Sequence, residues 1–132
     1  MANDLFEAAR AAQEKAYAPY SNFPVGAAIR AGSGAIYTGC NVENASYPEG
    51  WCAETSAIGQ MVVAGDLRIV EICVIGSADM VITPCGGCRQ RLAEFSSPET
   101  RVFAAGPDGI RATYTMADLL PAAFSLEQDR SE

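Results

Sequence analysis

The sequence contains no histidine, and this absence restricts any metal site to sulfur and carboxylate ligands. It has a single lysine, Lys15, and no cluster of basic residues, while sixteen acidic residues against nine basic ones give a net charge of −7. Proteins that bind nucleic acids usually present a basic patch that neutralises the phosphates. The composition therefore disfavours a nucleic-acid partner and favours a small-molecule ligand.

Long apolar segments are absent as well. No apolar run approaches the roughly 18 residues that a membrane-spanning helix requires, and no basic stretch followed by an apolar core opens the sequence, so we expect neither a membrane partner nor a signal peptide. The expected location is the cytoplasm, where thiols stay reduced. Five cysteines in that compartment indicate metal binding or catalysis before disulfide bonds.

The length and the periodicity of apolar residues predict one α/β domain over residues 1–132, without internal repeats. Helices are predicted over 4–17, 52–64, 85–95 and 117–120, and strands over 25–31, 35–42, 69–76, 101–105 and 110–115. This alternation predicts helices on both sides of one mixed five-stranded sheet, a three-layer α/β/α arrangement. The pattern does not set the order in which the strands pair. The polar residues 127–132 are expected to fray.

The motifs that carry chemistry are Cys52-Ala53-Glu54 and Pro84-Cys85-Gly86-Gly87-Cys88. Cys85 and Cys88 are three residues apart at a predicted helix start, so their sulfurs lie on one face. The free N–H groups of a helix start favour thiolates, and Cys52 opens a second helix in the same way. Three thiolates leave the fourth position of a zinc ion open, as in catalytic sites. A carboxylate beside that position, Glu54, is suited to move protons between water and a substrate.

Other interpretations of these residues stay open. The Cys-x-x-Cys pair by itself fits a redox couple, although a redox couple leaves Cys52 unexplained. A structural zinc site needs a fourth ligand, and the remaining cysteines are Cys40 at a strand end and Cys73 within an apolar strand pattern typical of a core. Glu54 also fits a helix-start carboxylate that interacts with the helix dipole.

Four further segments extend the pattern well beyond the cysteines. They read AYAPYSNFPVGAA (16–28), YTGCNVENASY (37–47), PCGGCRQ followed by LAEF (84–95), and LLP followed by Phe124 (119–124). Together they resemble the small homotetrameric cytidine deaminases, members of the zinc-dependent nucleoside and base deaminases whose metal chemistry is well described.

The resemblance implies a cytidine deaminase-like fold and an activity. The activity is the hydrolytic deamination of cytidine and 2′-deoxycytidine to uridine and 2′-deoxyuridine with release of ammonia, which serves pyrimidine salvage. It implies one Zn²⁺ per subunit, held by Cys52, Cys85 and Cys88, and a homotetramer whose sites are completed by neighbouring subunits. Glu54 would carry protons between water, ring N3 and the leaving amine.

Substrate-binding roles are implied for five more residues: Asn41 and Glu43 at the ribose hydroxyls, Phe23 near the pyrimidine, the backbone of Ala53 at the base, and Phe124 in a neighbour's active site. The residue types agree, because a diol suits a carboxylate and an amide, and alternate residues of an extended segment share a face. The same residues also fit a polar strand end and phenylalanines packed within one subunit.

Two departures from the family pattern bear on mechanism. Thr55 stands where the family often has an arginine that donates to zinc-bound sulfurs, and the loop 47–51 is unusual. We hypothesise that Arg91, three residues after Cys88, partly compensates, because helical side chains lean toward the helix N-terminus. The alternative is that Arg91 faces solvent.

Three competing functions are compatible with parts of the sequence. The unusual loop keeps open a deaminase of a modified cytosine nucleoside, of the blasticidin type. A polynucleotide editor is disfavoured by the short acidic chain. A non-enzymatic zinc module is the alternative from another class, and it predicts a closed site with four ligands and no role for Glu54.

Overall fold

A computed structural model describes residues 2–77, 79 and 81–126. The helices are α1 (Ala2–Gln13), α2 (Ala53–Val63), α3 (Gly86–Glu94) and α4 (Met116–Leu119), with a short 3₁₀ turn at Tyr47–Glu49. The strands are β1 (Val25–Ala31), β2 (Ile36–Cys40), β3 (Ile69–Gly76), β4 (Arg101–Gly106) and β5 (Gly109–Thr115). The frayed end expected at 127–132 lies outside the described residues.

The five strands form one mixed sheet in the order β2-β1-β3-β4-β5. Only β3 and β4 are parallel, while the other neighbouring strands are antiparallel. The parallel pair needs a crossover connection, and α3 lies in the segment that joins the two strands. The predicted mixed five-stranded α/β fold is confirmed, and the structure adds the strand order.

Both faces of the sheet are buried, and β3 shows how the sequence achieves this. Ile72 and Val74 pack on one face with the side chains of α2 and α3, while Cys73 and Ile75 pack on the other face with α1. Successive side chains of a strand point to opposite faces, so a continuous apolar run fits a strand covered on both sides. The three-layer arrangement follows from this packing.

Helix α1 ends at Gln13, four residues earlier than predicted. The Gln13 side chain donates to the carbonyl of Pro24 at 3.1 Å, and the N–H of Tyr17 donates to the carbonyl of Asn41 at 3.0 Å. Pairing with a distant segment therefore replaces the last helical turn that the local pattern predicts. None of the helices within the described residues has the length and apolar character needed to cross a membrane.

Strand β2 also ends early, at Cys40 rather than residue 42. The Asn41 side chain accepts from the N–H of Val25 at 2.9 Å and donates to the carbonyl of Phe23 at 3.0 Å, so it takes the place of strand backbone. Val42 then pairs with Trp51 through backbone bonds of 2.9 and 2.8 Å. This pair closes the loop and delivers the chain to the start of α2.

Close contact between β2 and α2 fixes the position of that helix. A Cβ added at Gly39 would lie 2.5 Å from both the carbonyl oxygen of Ala53 and the backbone nitrogen of Ala57. These are backbone atoms, so the helix as a whole would have to move. The position at which α2 starts therefore depends on residue 39 being a glycine.

We predict that Gly39→Ala destabilises the protein by about 1–3 kcal/mol, the usual cost of overpacking. Gly59→Ala is the matched control, because Gly59 lies in α2, the helix that Gly39 contacts, and a Cβ there meets no atom within 4 Å. That control should be neutral or slightly stabilising, by up to about 1 kcal/mol. Urea unfolding followed by circular dichroism measures both changes. Equal stability of the two variants would contradict the packing account.

Candidate active site

Three cysteine sulfurs converge where α2 and α3 begin. The Sγ atoms of Cys52, Cys85 and Cys88 all lie within 4.8 Å of one another. In a tetrahedral zinc site with Zn–S bonds of about 2.3 Å, the sulfurs are roughly 3.8 Å apart, so small adjustments suffice for all three to share one ion. Thiolates are soft ligands that suit zinc. The donor set and its spacing therefore fit one zinc ion.

Helices α2 and α3 both begin at this sulfur cluster. Cys52 is the N-cap residue of α2, and Cys85 is the N-cap residue of α3, with Cys88 in the first turn of α3. The first N–H groups of a helix have no acceptor within the helix and carry a partial positive charge. Two such ends facing one cluster stabilise thiolate charge, as the sequence predicts.

Arg89 fixes the approach of the chain to α3. Its guanidinium donates to the carbonyls of Pro84 at 2.7 Å and Leu119 at 2.9 Å, and to the hydroxyl of Thr83 at 2.9 Å. The segment before Cys85 is thereby tied to its own helix and to the end of α4. Sequence reasoning did not assign this role to Arg89, because the partner at residue 119 is distant in sequence.

Glu54 lies one residue inside α2, beside the sulfur cluster, with 4 % of its surface exposed. Burial raises the pKa of its carboxyl group, and the neighbouring Cys52 thiolate adds to the increase. A raised pKa lets a carboxyl group hold a proton at the pH where it also acts as a base. Glu54 therefore has the environment of a proton carrier rather than that of a surface carboxylate.

The thiols of Cys52 and Cys88 do not titrate independently. Hydrogen bonding from Cys88, followed by that from Cys85 and the positive charge of Arg91, lowers the pKa of Cys52 to about 6 in the metal-free protein. The pKa of Cys88 is raised, because its proton is held by Cys52 and its sulfur is buried. The Cys52 thiolate thus forms readily, whereas the Cys88 thiol keeps its proton.

An open cavity of about 340 Å³ lies over the cluster. Its lining includes Cys52, Ala53, Glu54 and Cys85 on one side and Asn41 and Glu43 on the other. The cavity is also lined by residues for which the sequence predicted no binding role: Val25, Tyr47, Trp51, Val74, Ile82 and Thr83. The residues predicted to bind metal, to carry protons and to bind ribose thus line one cavity.

The side chains of Asn41 and Glu43 also form hydrogen bonds that stabilise the wall of the cavity. Glu43 accepts from the N–H groups of Tyr20 at 2.9 Å and Ser21 at 3.1 Å, and from the Ser21 hydroxyl. The Ser21 hydroxyl bond is the main reason that the pKa of Glu43 is lowered, and the two N–H donors add to it. The negative charge that could accept a hydroxyl group is therefore present at neutral pH.

The two phenylalanines predicted to contact substrate stand apart from the cavity lining. Phe23 is half-buried, and its ring tip lies 3.2 Å from where a Cβ at Gly76 would be, next to the cavity residue Ile82. Phe124 has 73 % of its surface exposed and is held by its carbonyl, which accepts from Gln90 at 3.2 Å. Within one subunit, Phe23 therefore supports the wall, and Phe124 points a free ring outward.

Two polar side chains approach the buried sulfur of Cys88. The Thr55 hydroxyl oxygen lies 4.0 Å from it, and the Arg91 guanidinium donates to it at 3.7 Å. Arg91 is an exposed residue, so the two alternatives for it, contact with the cluster and contact with solvent, are both realised.

The remaining cysteines lie outside the cluster within the part of the chain that the structure describes. Cys40 is half-buried at the end of β2. Cys73 is buried in the α1 side of the core, and burial raises the pKa of its thiol to about 12. The group of possible metal ligands that the structure brings together thus contains three sulfurs, which leaves room for a non-protein ligand.

Comparison with known proteins identifies the family to which this chain is similar. Residues 1–105 match the family described as the cytidine and deoxycytidylate deaminase zinc-binding region. A cytidine deaminase from Sporosarcina psychrophila is 42 % identical over 123 residues, which cover 93 % of this chain and 90 % of that protein. The chain belongs to the cytidine deaminase family. Another family member, from Halalkalibacterium halodurans, is 39 % identical over 93 % of both chains.

The fold agrees with crystal structures of the cytidine deaminase family. The structure of cytidine deaminase from Burkholderia pseudomallei superposes with a TM-score of 0.88 at 44 % identity and covers 94 % of this chain and 99 % of that one. The family and the fold that the sequence motifs predicted are confirmed, and so is the zinc-binding character of the region that carries the cysteines.

We predict that metal-free protein is alkylated by iodoacetamide first at Cys52. Because the pKa of this thiol is lowered to about 6, thiolate dominates above that pH, and the rate should rise through pH 6 and level off near neutrality. Mass spectrometry of peptides measures the rate, and buried Cys73 provides an unreactive internal control. Added zinc should protect Cys52. A rate that rises only above pH 8 would contradict the lowered pKa.

Proposed function

We propose that the protein, as a single domain, catalyses zinc-dependent hydrolytic deamination of cytidine and 2′-deoxycytidine to uridine and 2′-deoxyuridine, with release of ammonia. The observation that carries this proposal is the buried carboxyl group of Glu54 beside a three-sulfur cluster at the base of a 340 Å³ cavity. A metal site with three protein ligands has a position for a reacting molecule, whereas a structural zinc site is closed.

Cys52, Cys85 and Cys88 would hold the zinc ion, which when bound makes water acidic enough to react near neutral pH. Glu54 would take one proton from that water as its oxygen bonds to C4 of the pyrimidine, and would deliver this proton to ring N3. It would then move the remaining proton of the new C4 hydroxyl group to the amine, whose bond to C4 breaks as ammonia leaves. Its burial supports this assignment, because a raised pKa allows the carboxyl group to alternate between the two protonation states.

The ribose would lie against Asn41 and Glu43. A carboxylate offers about four acceptor positions, and three donors already occupy some of those on Glu43, so a hydroxyl group of the substrate can take another. The Asn41 amide uses one donor and one acceptor on Phe23 and Val25 and keeps a second N–H for the sugar. The loop bonds therefore orient both side chains before substrate binds.

The pyrimidine would lie between the ribose site and the sulfur cluster. The N–H of Ala53 is the first of α2, so it has no acceptor within the helix and can donate to the base. Phe23 would pack near the pyrimidine from beside Gly76, where its ring lies close to the cavity residue Ile82.

We further propose a homotetramer in which Phe124 of one subunit enters a neighbour's site. Its exposed ring supports this assignment, as do exposed aromatic side chains near the cavity mouth at Tyr20, Tyr47 and Trp51. Exposed apolar surface of this kind marks interaction sites. The enzyme would work in pyrimidine salvage in the cytoplasm, where the three thiols remain reduced for metal binding.

We predict that Glu54→Gln lowers kcat for cytidine by at least about 100-fold, the usual contribution of a general acid–base group, and leaves zinc content unchanged. Uridine formation followed by absorbance measures activity, and metal analysis measures zinc. Glu7→Gln, an exposed glutamate on the α1 side of the sheet, is the control and should keep full activity. Free cytosine should be a poorer substrate than cytidine, because it lacks the ribose.

The same assay separates the alternatives. Turnover of a blasticidin-type nucleoside but not of cytidine would assign the modified-substrate activity instead. Zinc-loaded parent protein that turns over no cytosine nucleoside would contradict the catalytic proposal and indicate a zinc module.

Subunit mixing tests the role of Phe124. We predict that Phe124→Ala lowers kcat/KM on the order of tenfold, equivalent to about 1.4 kcal/mol. Co-refolding it with Glu54→Gln should give more activity than the two separate proteins together, because mixed oligomers contain sites with both intact residues. Activity equal to the separate sum, with monomers in sedimentation, would contradict a shared site.

A further inference from the structure

Arg91 makes a contact with the cluster that the catalytic residues do not explain. We propose that Arg91 is a positioning residue that holds the Cys88 thiolate and balances the negative charge of the three-sulfur zinc site. The proposal rests on the zinc site proposed above and concerns a side chain that neither binds the metal nor touches the substrate.

The helix geometry brings Arg91 to this sulfur. Arg91 and Cys88 are three residues apart on α3, and helical side chains lean toward the N-terminus, so the guanidinium lies over the first turn. Its Nη1 atom lies 3.7 Å from the Cys88 Sγ atom. Gly87 leaves the space for it, because a Cβ at residue 87 would lie 3.3 Å from the same nitrogen.

Charge explains why the contact matters. Three thiolates and one Zn²⁺ carry a net charge of −1, and a buried negative charge is costly unless it is paired. Cys88 has 0 % of its surface exposed, so water does not solvate its sulfur. A guanidinium beside this sulfur supplies the missing positive charge, and the neutral Thr55 hydroxyl at 4.0 Å supplies a second, weaker donor.

The position of Arg91 also allows it to act without blocking the reaction. A cavity of about 260 Å³, lined by Cys52, Thr55 and Arg91 together with Trp51, lies beside the substrate cavity. Arg91 is absent from the lining of the substrate cavity as described, so the guanidinium approaches the cluster from another side. By drawing electron density from the Cys88 sulfur, Arg91 would make a bound zinc ion a stronger electron acceptor.

The experiment compares Arg91→Leu, Arg91→Lys and the control Arg10→Leu. The control removes one positive charge from an exposed position on α1, across the sheet from the cluster. Zinc dissociation constants come from competition with a chromophoric chelator at pH 7. The sulfur-to-cobalt charge-transfer bands of the cobalt-loaded proteins report the electron density on the thiolates.

We expect Arg91→Leu to weaken zinc binding by about 10- to 100-fold, the range found when outer partners of metal ligands are removed. It should also shift the cobalt charge-transfer bands. Arg91→Lys should recover part of the affinity, because an ammonium keeps the charge but lacks the planar fork of donors. Arg10→Leu should match the parent protein in both measurements.

Two results would overturn the inference in distinguishable ways. If Arg91→Leu and Arg10→Leu both match the parent in zinc affinity and cobalt spectrum, Arg91 has no role at the cluster, and the proposed function stands. If the parent protein itself fails to bind zinc, the proposed site and the inference fail together.

Discussion

Two helix starts that meet at one point are the constraint on which the rest of this structure depends. They bring three cysteine sulfurs within 4.8 Å of one another, from segments more than thirty residues apart. For the two helices to meet, α2 must lie directly on β2, and this is possible because Gly39 has no side chain. The segment before α3 must also be fixed, and the hydrogen bonds of Arg89 fix it. The sheet and its two covered faces serve to hold these helices in place.

Electrostatics then determines what such a cluster can do. Thiolates gathered in a partly buried space repel one another, and the metal-free protein responds with one acidic thiol at Cys52 and a tightly held proton at Cys88. Helix N-termini, Arg91 and Thr55 each offer partial or full positive charge to the sulfurs. Glu54 lies beside them in a buried environment, and this combination separates a reactive metal site from a purely structural one.

The sequence is sufficient to predict the parts that depend on short-range patterns. The spacing of Cys85 and Cys88, the helix starts, and the buried β3 strand follow from periodicity and capping rules, and the structure agrees with them within one or two residues. The family motifs predicted the fold as a whole. These features are local, or they are carried by motifs that specify a known arrangement.

Long-range contacts account for what the sequence did not predict. Helix α1 and strand β2 both end early, because Gln13 and Asn41 bond to the segment around Pro24 that only the folded chain brings near. The Phe23 ring and Ile82 both lie beside Gly76, a neighbourhood that segments distant in sequence form together. The role proposed for Phe124 requires a second subunit, so the structure of one chain does not test it.

The coordination of zinc in the purified protein distinguishes an open metal site from a closed one. X-ray absorption at the zinc edge counts the ligands and gives their distances. The account predicts three sulfur ligands at about 2.3 Å and one oxygen or nitrogen ligand at about 2.0 Å. A first shell of four sulfurs would contradict an open catalytic position, and protein that retains no zinc when isolated in metal-replete buffer would contradict the site itself.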